Sequence, residues 1–186
     1  FCLSRGLGDV YKRQARGYFE SIVAEIYPIY QKMLSDNSAM DFDDLIMSTV
    51  ELFRKNENIL AKYQELFKFI LIDEYQDTNQ AQYIFSKLLA KTHKNICVVG
   101  DDAQSIYSFR GANITNILNF EKDYPDAKII KLEQNYRSTK TILSASNEII
   151  RQNPEQKPKK LWTENEEGDC IYIYEAMDEK DEALWI

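Results

Sequence analysis

One stretch, residues 67–79, limits what this chain can fold into. Its first six residues, Phe67 to Ile72, are mostly large and apolar, which predicts a central parallel strand buried on both faces. The run then stops at two adjacent acids, Asp73 and Glu74. Because ligands of open α/β sheets bind at the C-terminal ends of the strands, we expect these carboxylates at a ligand-binding edge.

Two neighbouring carboxylates at the end of a strand fit a site that hydrolyses a nucleotide. One carboxylate can hold Mg²⁺, directly or through water, and the next can accept a proton from an attacking water. This is the pattern of the Walker B segment of nucleotide hydrolases. The alternative is an ordinary strand followed by an acidic helix start, because Asp and Thr are good N-cap residues. The run by itself leaves both interpretations open.

Three longer blocks carry a family resemblance. Residues Asp73 to Asn79 (Asp-Glu-Tyr-Gln-Asp-Thr-Asn) resemble motif II of the UvrD/PcrA/Rep-like superfamily 1 DNA helicases. Residues Val98 to Ala112 look like motif III, and Leu132 to Thr139 (Leu-Glu-Gln-Asn-Tyr-Arg-Ser-Thr) look like motif IV. The blocks follow the order of the family, and the resemblance covers about Met40 to Gly168.

The order of the predicted elements, strand, helix, strand, helix, strand, indicates an α/β fold with a parallel sheet. The resemblance implies a RecA-like parallel sheet flanked by helices, truncated, with the start of a second RecA-like motor domain. The expected segments are a non-native leader (1–14), a helical segment resembling domain 1B and the entry to 1A (15–66), the second half of the first motor domain, 1A (67–130), and the start of the second, 2A (131–186).

Hydrophobic periodicity and turn signals place the individual elements. Helices are predicted over 15–34, 41–55, 58–65, 79–91, 113–122 and 139–151, and strands over 67–72, 95–99, 128–132 and 171–174. We expect Pro28 to kink or end the first helix and Asp41 to act as an N-cap. Asp41, Asp43 and Asp44 are close enough to suggest a metal site, but capping is the preferred interpretation.

The first 14 residues differ from the rest of the chain, because they show no helical face and match no block of the family. We interpret them as a foreign or junction-derived leader, and the alternative is a native helix that is cut off. A phosphate-binding loop of the form G-x-x-x-x-G-K-[ST] is also missing, since no glycine is followed by lysine. The glycines are Gly6, Gly8, Gly17, Gly100, Gly111 and Gly168.

The resemblance implies roles around ATP for residues of motifs II and III. Asp73, with Glu74 beside it, is expected to hold the Mg²⁺ that bridges the β- and γ-phosphates, and Glu74 to orient and deprotonate the attacking water. Gln104, four residues after Gly100, matches the residue that senses the γ-phosphate and relays its state to the DNA site. The alternative for Gln104 is a helix-capping amide.

Motif IV contributes two further residues by the same resemblance. Tyr136 matches a residue that stacks on adenine, and Arg137 matches an arginine finger that reaches the γ-phosphate from the second motor domain. Outside this block, a surface salt bridge would be the simpler interpretation of Arg137.

Motif III also suggests a single-strand contact. Phe109 stands where relatives usually carry Trp, a base-stacking residue, and Phe retains a π-face of smaller area. Tyr107 lies two residues earlier and Arg110 is adjacent, so all three are candidate DNA-binding residues. For Tyr107, a place in the hydrophobic core is an equal alternative.

Composition narrows the function classes. With 44% hydrophobic and 12% aromatic residues, the 186-residue chain can bury a core. The net charge of −7 argues against bulk electrostatic binding of nucleic acid, although a local stacking groove needs few charges. The odd number and wide spacing of the three cysteines fit a cytoplasmic protein, the single His93 argues against a histidine-based site, and no run predicts a membrane span.

The resemblance implies a fragment of an ATP-dependent DNA helicase that couples ATP hydrolysis to movement on single-stranded DNA, 3′ to 5′ as in the family. The implied cofactors are ATP and Mg²⁺, and the implied partners are single-stranded DNA, duplex junctions, and the missing N- and C-terminal parts of the same helicase. Without a phosphate loop, the isolated chain is expected to be inactive. The alternative is a non-catalytic nucleic-acid-binding or protein-interaction module derived from a helicase.

Overall fold

The computed structural model describes residues 17–153 and 157–186. The chain forms two compact units, the first ending at Asp126 and the second beginning at Ala127. The predicted leader, residues 1–14, lies outside the described residues.

The first unit combines helices with a small parallel sheet, which confirms the α/β class. Its elements are α1 (Tyr18–Asp36), α2 (Phe42–Lys55), α3 (Glu57–Leu66), β1 (Ile70–Ile72), α4 (Gln80–Ala90), β2 (Ile96–Val98), α5 (Thr115–Leu118) and α6 (Phe120–Asp123). Three 3₁₀ turns lie between them, at Tyr75–Asp77, Asp102–Gln104 and Ser108–Arg110. The described part of the second unit contains α7 (Lys140–Arg151) and α8 (Glu179–Trp185).

The core of the first unit lies where α2 packs against α3 and α4. Phe53 on α2 is buried, with its ring 5.4 Å from that of Tyr63 and 6.0 Å from that of Phe85. Val50 and Leu89 are buried as well. Aromatic rings at such separations add to the free energy gained from burying their area.

The two strands pair in parallel, with Ile70 opposite Ile96, Leu71 opposite Cys97 and Ile72 opposite Val98. Successive side chains of a strand point to opposite faces, and here only one face is covered. Leu71 is 79% exposed, and Cys97 beside it is exposed as well. The prediction that both faces of the first strand are buried is therefore wrong for the described residues, because the sheet is covered on one side only.

Two predicted strands are absent. Residues 128–132 and 171–174 lie in the described ranges but are not strands. A strand requires ladder hydrogen bonds to a neighbour, and an apolar run supplies only the side chains. Ile130 and Leu132 are largely exposed, so this run is also not buried.

The predicted helices all occur, with local differences. The helix predicted over 113–122 is interrupted at Asn119, whose backbone (φ −96°, ψ 5°) leaves the helical region, so that α5 and α6 are separate. Pro28 neither ends nor splits α1, which continues to Asp36. The prediction of an N-cap at Asp41 is confirmed, because its Oδ1 accepts a hydrogen bond of 2.8 Å from the Asp44 N–H.

Within the described ranges, none of the helices has the length and apolar character that a membrane crossing requires. Cys97 and Cys170, the cysteines of those ranges, are both thiols without a disulfide.

A charged contact ties α4 to α6. The Tyr83 hydroxyl donates to Asp123 at 2.6 Å, and the Lys87 ammonium binds the same carboxylate. Burial raises the pKa of Asp123, but the hydrogen bonds from Lys87 and Tyr83 outweigh it, and the net pKa lies below the ordinary value. The same bonds, chiefly that to Asp123, raise the pKa of Lys87. Nearby, burial raises the pKa of Tyr75 to about 12.

We expect Asp123→Asn to lower the free energy of unfolding by about 1–2 kcal/mol, because two donors lose a charged acceptor. Since the folded-state pKa of Asp123 lies below its ordinary 3.8, this contribution is present above that pH and is lost as the pH falls through the folded-state value. Urea unfolding of both proteins near neutral pH and in acid measures it. The exposed Asp126→Asn is the control, and equal losses from both would contradict the assignment.

Candidate active site

The carboxyl ends of β1 and β2 meet at one edge of the sheet, since the two strands are parallel. Asp73 and Glu74 follow β1 directly. Hydrogen bonding continues past both strands: the Val99 N–H donates to the Ile72 carbonyl at 2.8 Å, and the Tyr75 N–H donates to the Val99 carbonyl at 2.9 Å. Motifs II and III are therefore joined along their main chains at this edge.

The acid pair stands on a sharp turn. Glu74 adopts a left-handed backbone (φ 50°, ψ 42°), which is uncommon for a residue with a side chain. Its N–H donates to Asp73 Oδ1 at 2.9 Å, and both side chains are exposed at the strand end. A strained residue of this kind costs on the order of 1–3 kcal/mol and persists only where its surroundings hold it in place.

The buried side chain of Gln76 links the segments that follow the two strands. It is 1% exposed; its Nε2 donates to Glu74 Oε2 at 2.7 Å, and its Oε1 accepts from the Asp101 N–H at 3.0 Å. Nε2 also lies 3.4 Å from Asp77 Oδ2. The orientation of the amide follows from chemistry, because a backbone N–H can only donate and must therefore face Oε1.

Asp101 continues the chain of contacts to Gln104. Its Oδ2 accepts from Gln104 Nε2 at 2.8 Å, and its Oδ1 accepts from the Ala103 N–H at 3.0 Å. Gln104 is exposed at the end of the 3₁₀ turn. Its amide is held by the side chain of Asp101, which is the residue that caps this turn.

Gly100 makes room for the Gln76 amide. A Cβ added at this position would lie 2.6 Å from Gln76 Oε1 and 2.8 Å from Ile117 Cδ1, both closer than real Cβ contacts. The requirement is steric, since the glycine has no positive φ. A glycine at this point is what allows the main chain after β2 to reach a buried side chain.

The three candidate DNA-binding residues lie together on one turn. The Tyr107 and Phe109 ring centroids are 6.1 Å apart, and the Arg110 guanidinium carbon lies 5.4 Å from each centroid. Phe109 is 76% exposed, so it is not a core residue in this unit, and Tyr107 is exposed to a smaller extent. Gly111 (φ 87°) ends the turn in a conformation that favours glycine.

This aromatic turn is anchored to motif II. The Asn113 N–H donates to the Thr78 carbonyl at 3.0 Å, and Asn79 and Ala112 form a bridge. Asn116, which is buried, donates from Nδ2 to the same Thr78 carbonyl at 3.0 Å. The acid pair and the aromatic turn thus belong to one hydrogen-bonded segment of the first unit.

Motif IV lies in the second unit, where Asn135 shapes its loop. Asn135 Oδ1 accepts from the N–H groups of Arg137 at 2.9 Å and Ser138 at 2.7 Å, which makes an Asx-type turn. The Asn135 N–H donates to the Trp162 carbonyl at 2.7 Å. Tyr136 and Arg137 are exposed, and the Tyr136 hydroxyl donates to Gln134 at 2.9 Å.

The described residues contain no cluster of three or more His, Cys, Asp or Glu side chains that could hold a metal ion. Mg²⁺ does not need such a cluster, because it is usually held by one or two carboxylates together with phosphate oxygens and water. Asp73 and Glu74, exposed side by side at the strand end, are a donor set of that kind.

Six residues of this hydrogen-bonded segment are candidates from the sequence alone. Gln76, Asp101 and Asn116 belong to the same segment, but the sequence assigns them no role. Gln76 and Asp101 belong to the blocks that carry the resemblance, so position in a motif was an available signal. Asn116 offered none, since a polar residue in a short helix is ordinarily exposed. The six are Asp73, Glu74, Gln104, Tyr107, Phe109 and Arg110.

Two family models together match nearly the whole chain. The model described as UvrD/REP helicase N-terminal domain matches residues 7–125, and the model described as UvrD-like helicase C-terminal domain matches residues 130–186. The first match alone covers more than half of the chain.

Individual relatives of the chain are also named as helicases. The ATP-dependent DNA helicase PcrA of Staphylococcus aureus (strain Mu50) is 58% identical over 175 residues, which is 94% of this chain and 24% of that protein. The ATP-dependent DNA helicase PcrA of Staphylococcus epidermidis (strain ATCC 35984) is 57% identical over the same shares. The chain therefore spans about a quarter of the length of these curated relatives.

We expect Gly100→Ala to destabilise the first unit by about 1–3 kcal/mol, because the added methyl group overpacks the space that the Gln76 amide occupies. Thermal or urea unfolding of the 186-residue chain measures the change. Gly17→Ala is the matched control, since no atom lies within 4 Å of the position that its added methyl group would take and its φ is negative. Equal stability of the two variants would contradict the packing described for Gly100.

Proposed function

Because the chain belongs to the UvrD/REP helicase family, we propose that it is the segment of an ATP-dependent DNA helicase that contains the water-activating acids and part of the single-strand contact. The whole protein would couple ATP hydrolysis to movement on single-stranded DNA in the 3′ to 5′ direction and act at duplex junctions. The name of the PcrA relatives, ATP-dependent DNA helicase, supports the use of ATP and DNA. The direction and the duplex junctions rest on the family resemblance alone.

The main support for the proposal is a chain of hydrogen bonds between motifs II and III. At the edge where the two parallel strands end, the acid pair of motif II and the exposed Gln104 of motif III are joined through Gln76 and Asp101 in a single hydrogen-bonded unit. Hydrolysis of a phosphoanhydride needs a base for water and a group that contacts the transferred phosphate, both held in place before the reaction. Glu74 and Gln104 are our candidates for these two groups, and they lie on the segments that follow the two paired strands.

In this proposal Glu74 would accept the proton of the attacking water, and Asp73, with Glu74 nearby, would hold Mg²⁺. The ion would neutralise charge on the phosphate oxygens of ATP. Gln104 would contact the γ-phosphate through Nε2, which has a second N–H besides the one that it donates to Asp101 Oδ2 at 2.8 Å.

We assign two residues of the second unit to the nucleotide as well. Tyr136 would stack on adenine and Arg137 would act as an arginine finger on the γ-phosphate. Both side chains are exposed, and the Asx-type turn of Asn135 holds the main chain of Arg137 in a defined conformation. The planar guanidinium suits charge that develops on phosphate oxygens in the transition state.

For single-stranded DNA we assign Phe109, Tyr107 and Arg110. The exposed ring of Phe109 offers a stacking surface that tolerates any base, and Arg110 beside both rings adds a cation. Such a contact does not depend on net charge, so the overall charge of −7 does not oppose it.

The domain assignment is also a proposal: residues 15–66 as a 1B-like segment with the entry to 1A, 67–130 as part of 1A, and 131–186 as part of 2A. The separate family matches and the unit boundary after Asp126 support two motor domains. The phosphate loop and the later motifs would come from the N- and C-terminal remainder of the helicase. We propose a cytoplasmic location from cysteine usage.

The test is a PcrA chimera, in which the matching 175 residues of this chain replace their counterpart in the Staphylococcus aureus relative. We expect DNA-stimulated ATP hydrolysis by the chimera and none by the 186-residue chain alone, which lacks a phosphate loop. Glu74→Gln should lower kcat by at least about a hundredfold while ATP affinity stays within about threefold. An inactive chimera would favour a non-catalytic module, and collapse of ATP affinity would exclude Glu74 as the base.

A second pair of variants separates the nucleotide and DNA assignments. In the chimera, Arg137→Ala should lower basal hydrolysis by about 10³-fold with single-strand affinity unchanged, and Arg137→Lys should restore little. Phe109→Ala should instead weaken single-strand binding by about 1–3 kcal/mol while basal hydrolysis persists. If Arg137→Ala abolished DNA binding and kept hydrolysis, the finger assignment would be wrong.

A further inference from the structure

We propose that Gln76 is a positioning residue for hydrolysis, which holds the Glu74 carboxylate where it can take a proton from water. The inference rests on the proposed function, in which Glu74 is the base. Gln76 itself touches neither water nor nucleotide in this role, and it acts through its hydrogen bond to Glu74 Oε2 at 2.7 Å.

The base needs such a partner because its side chain is exposed. A glutamate has three side-chain torsions, and an exposed glutamate samples many rotamers. Fixing its side chain in one rotamer therefore costs conformational entropy. A general base must lie within hydrogen-bond reach of the water, and misplacement by about 1 Å can cost about a hundredfold in rate. The Gln76 bond engages Oε2, so the proton can be accepted at the other oxygen, Oε1, while the bond persists.

Gln76 is suited to hold another residue because burial and hydrogen bonds fix its own side chain and main chain. Its side chain is buried at 1% exposure, its Oε1 is fixed by the Asp101 N–H, and its main-chain carbonyl accepts from Ser105 Oγ at 3.3 Å. Gly100 leaves just enough space for the amide. Positioning groups work when their own rotamers are locked by packing and by hydrogen bonds.

An amide is also the right group for this position. Its N–H holds the Glu74 carboxylate while its carbonyl oxygen accepts from the Asp101 N–H. A lysine or arginine in the same place has donors only and could not accept from that N–H. The same amide fixes Glu74 relative to Asp101, whose carboxylate holds Gln104 at 2.8 Å.

The test compares four forms of the PcrA chimera: unchanged, Gln76→Met, Glu74→Gln and the double variant. Methionine has a similar length but no hydrogen-bond donor. We expect Gln76→Met to lower kcat by about 10- to 100-fold with KM for ATP within about threefold, because the base is misplaced and nucleotide binding is not. In the Glu74→Gln background the same substitution should have no further effect on kcat, since Gln76 acts through Glu74.

A matched control and a second variant guard against a purely structural effect. Gln82→Met removes another glutamine of the same segment, one that caps α4 through Asn79, and should leave kcat within about twofold. Should Gln76→Met unfold the chimera, Gln76→Asn replaces it. That variant keeps a buried amide that is one methylene too short to span Glu74 and Asp101, and the same loss of kcat is expected.

The outcomes separate this inference from the proposed function. A Glu74→Gln chimera that hydrolyses ATP normally would refute the role of Glu74 as the base. A normal kcat in a folded Gln76→Met or Gln76→Asn chimera, or a loss that adds fully to that of Glu74→Gln, would overturn the positioning role of Gln76 while the function of Glu74 stands.

Discussion

The buried amide of Gln76 is the contact on which the arrangement of the strand ends depends. Both strands are only three residues long, so the ladder between them contributes few hydrogen bonds. Beyond the ends of the strands, the Gln76 amide connects the two segments, because it donates to Glu74 and accepts from the Asp101 N–H. Without this amide the exposed Glu74 carboxylate could bond to water, but the Asp101 N–H would lose its acceptor, and an unpaired buried donor costs about 1–3 kcal/mol.

The acid pair and the aromatic turn follow from this junction. The left-handed backbone of Glu74 is tolerated because its side chain is held by Gln76, and its neighbour Tyr75 is bonded to Val99. Thr78 then receives both the Asn113 N–H and the Asn116 amide, so the segment that presents Phe109 is attached to the same part of the chain. Bonds between loops, more than the short sheet, determine where the site residues lie.

The sequence predicted the helices well because their signals are local. Periodic apolar residues gave α2 and α4, and the cap at Asp41 was readable from residue type alone. Strands depend on partners that are remote in the chain, so the run at 128–132 was wrongly predicted as a strand. The exposure of Leu71 also escaped prediction, since an apolar side chain does not reveal whether its face of the sheet is covered.

The candidate site was predictable in its residues but not in its connections. Motif resemblance named the acids, Gln104 and the aromatic turn, and the structure places these in one hydrogen-bonded segment of the first unit. Its position in motif II marks Gln76 as a residue of interest, but its bond to Asp101 could not be predicted from the sequence, because Asp101 is 25 positions away and donates through its main chain. A backbone donor has no residue type by which a motif could indicate it.

The most direct test of the junction is amide hydrogen exchange, followed by NMR, on the 186-residue chain and its Gln76→Met variant. We expect the Asp101 N–H to be protected in the unchanged chain and to exchange at least about tenfold faster in the variant. The Val99 N–H, bonded to Ile72 at 2.8 Å, should keep its protection in both. An Asp101 N–H that is unprotected in the unchanged chain, or equally protected in the variant, would show that the Gln76 amide does not join the two strand ends.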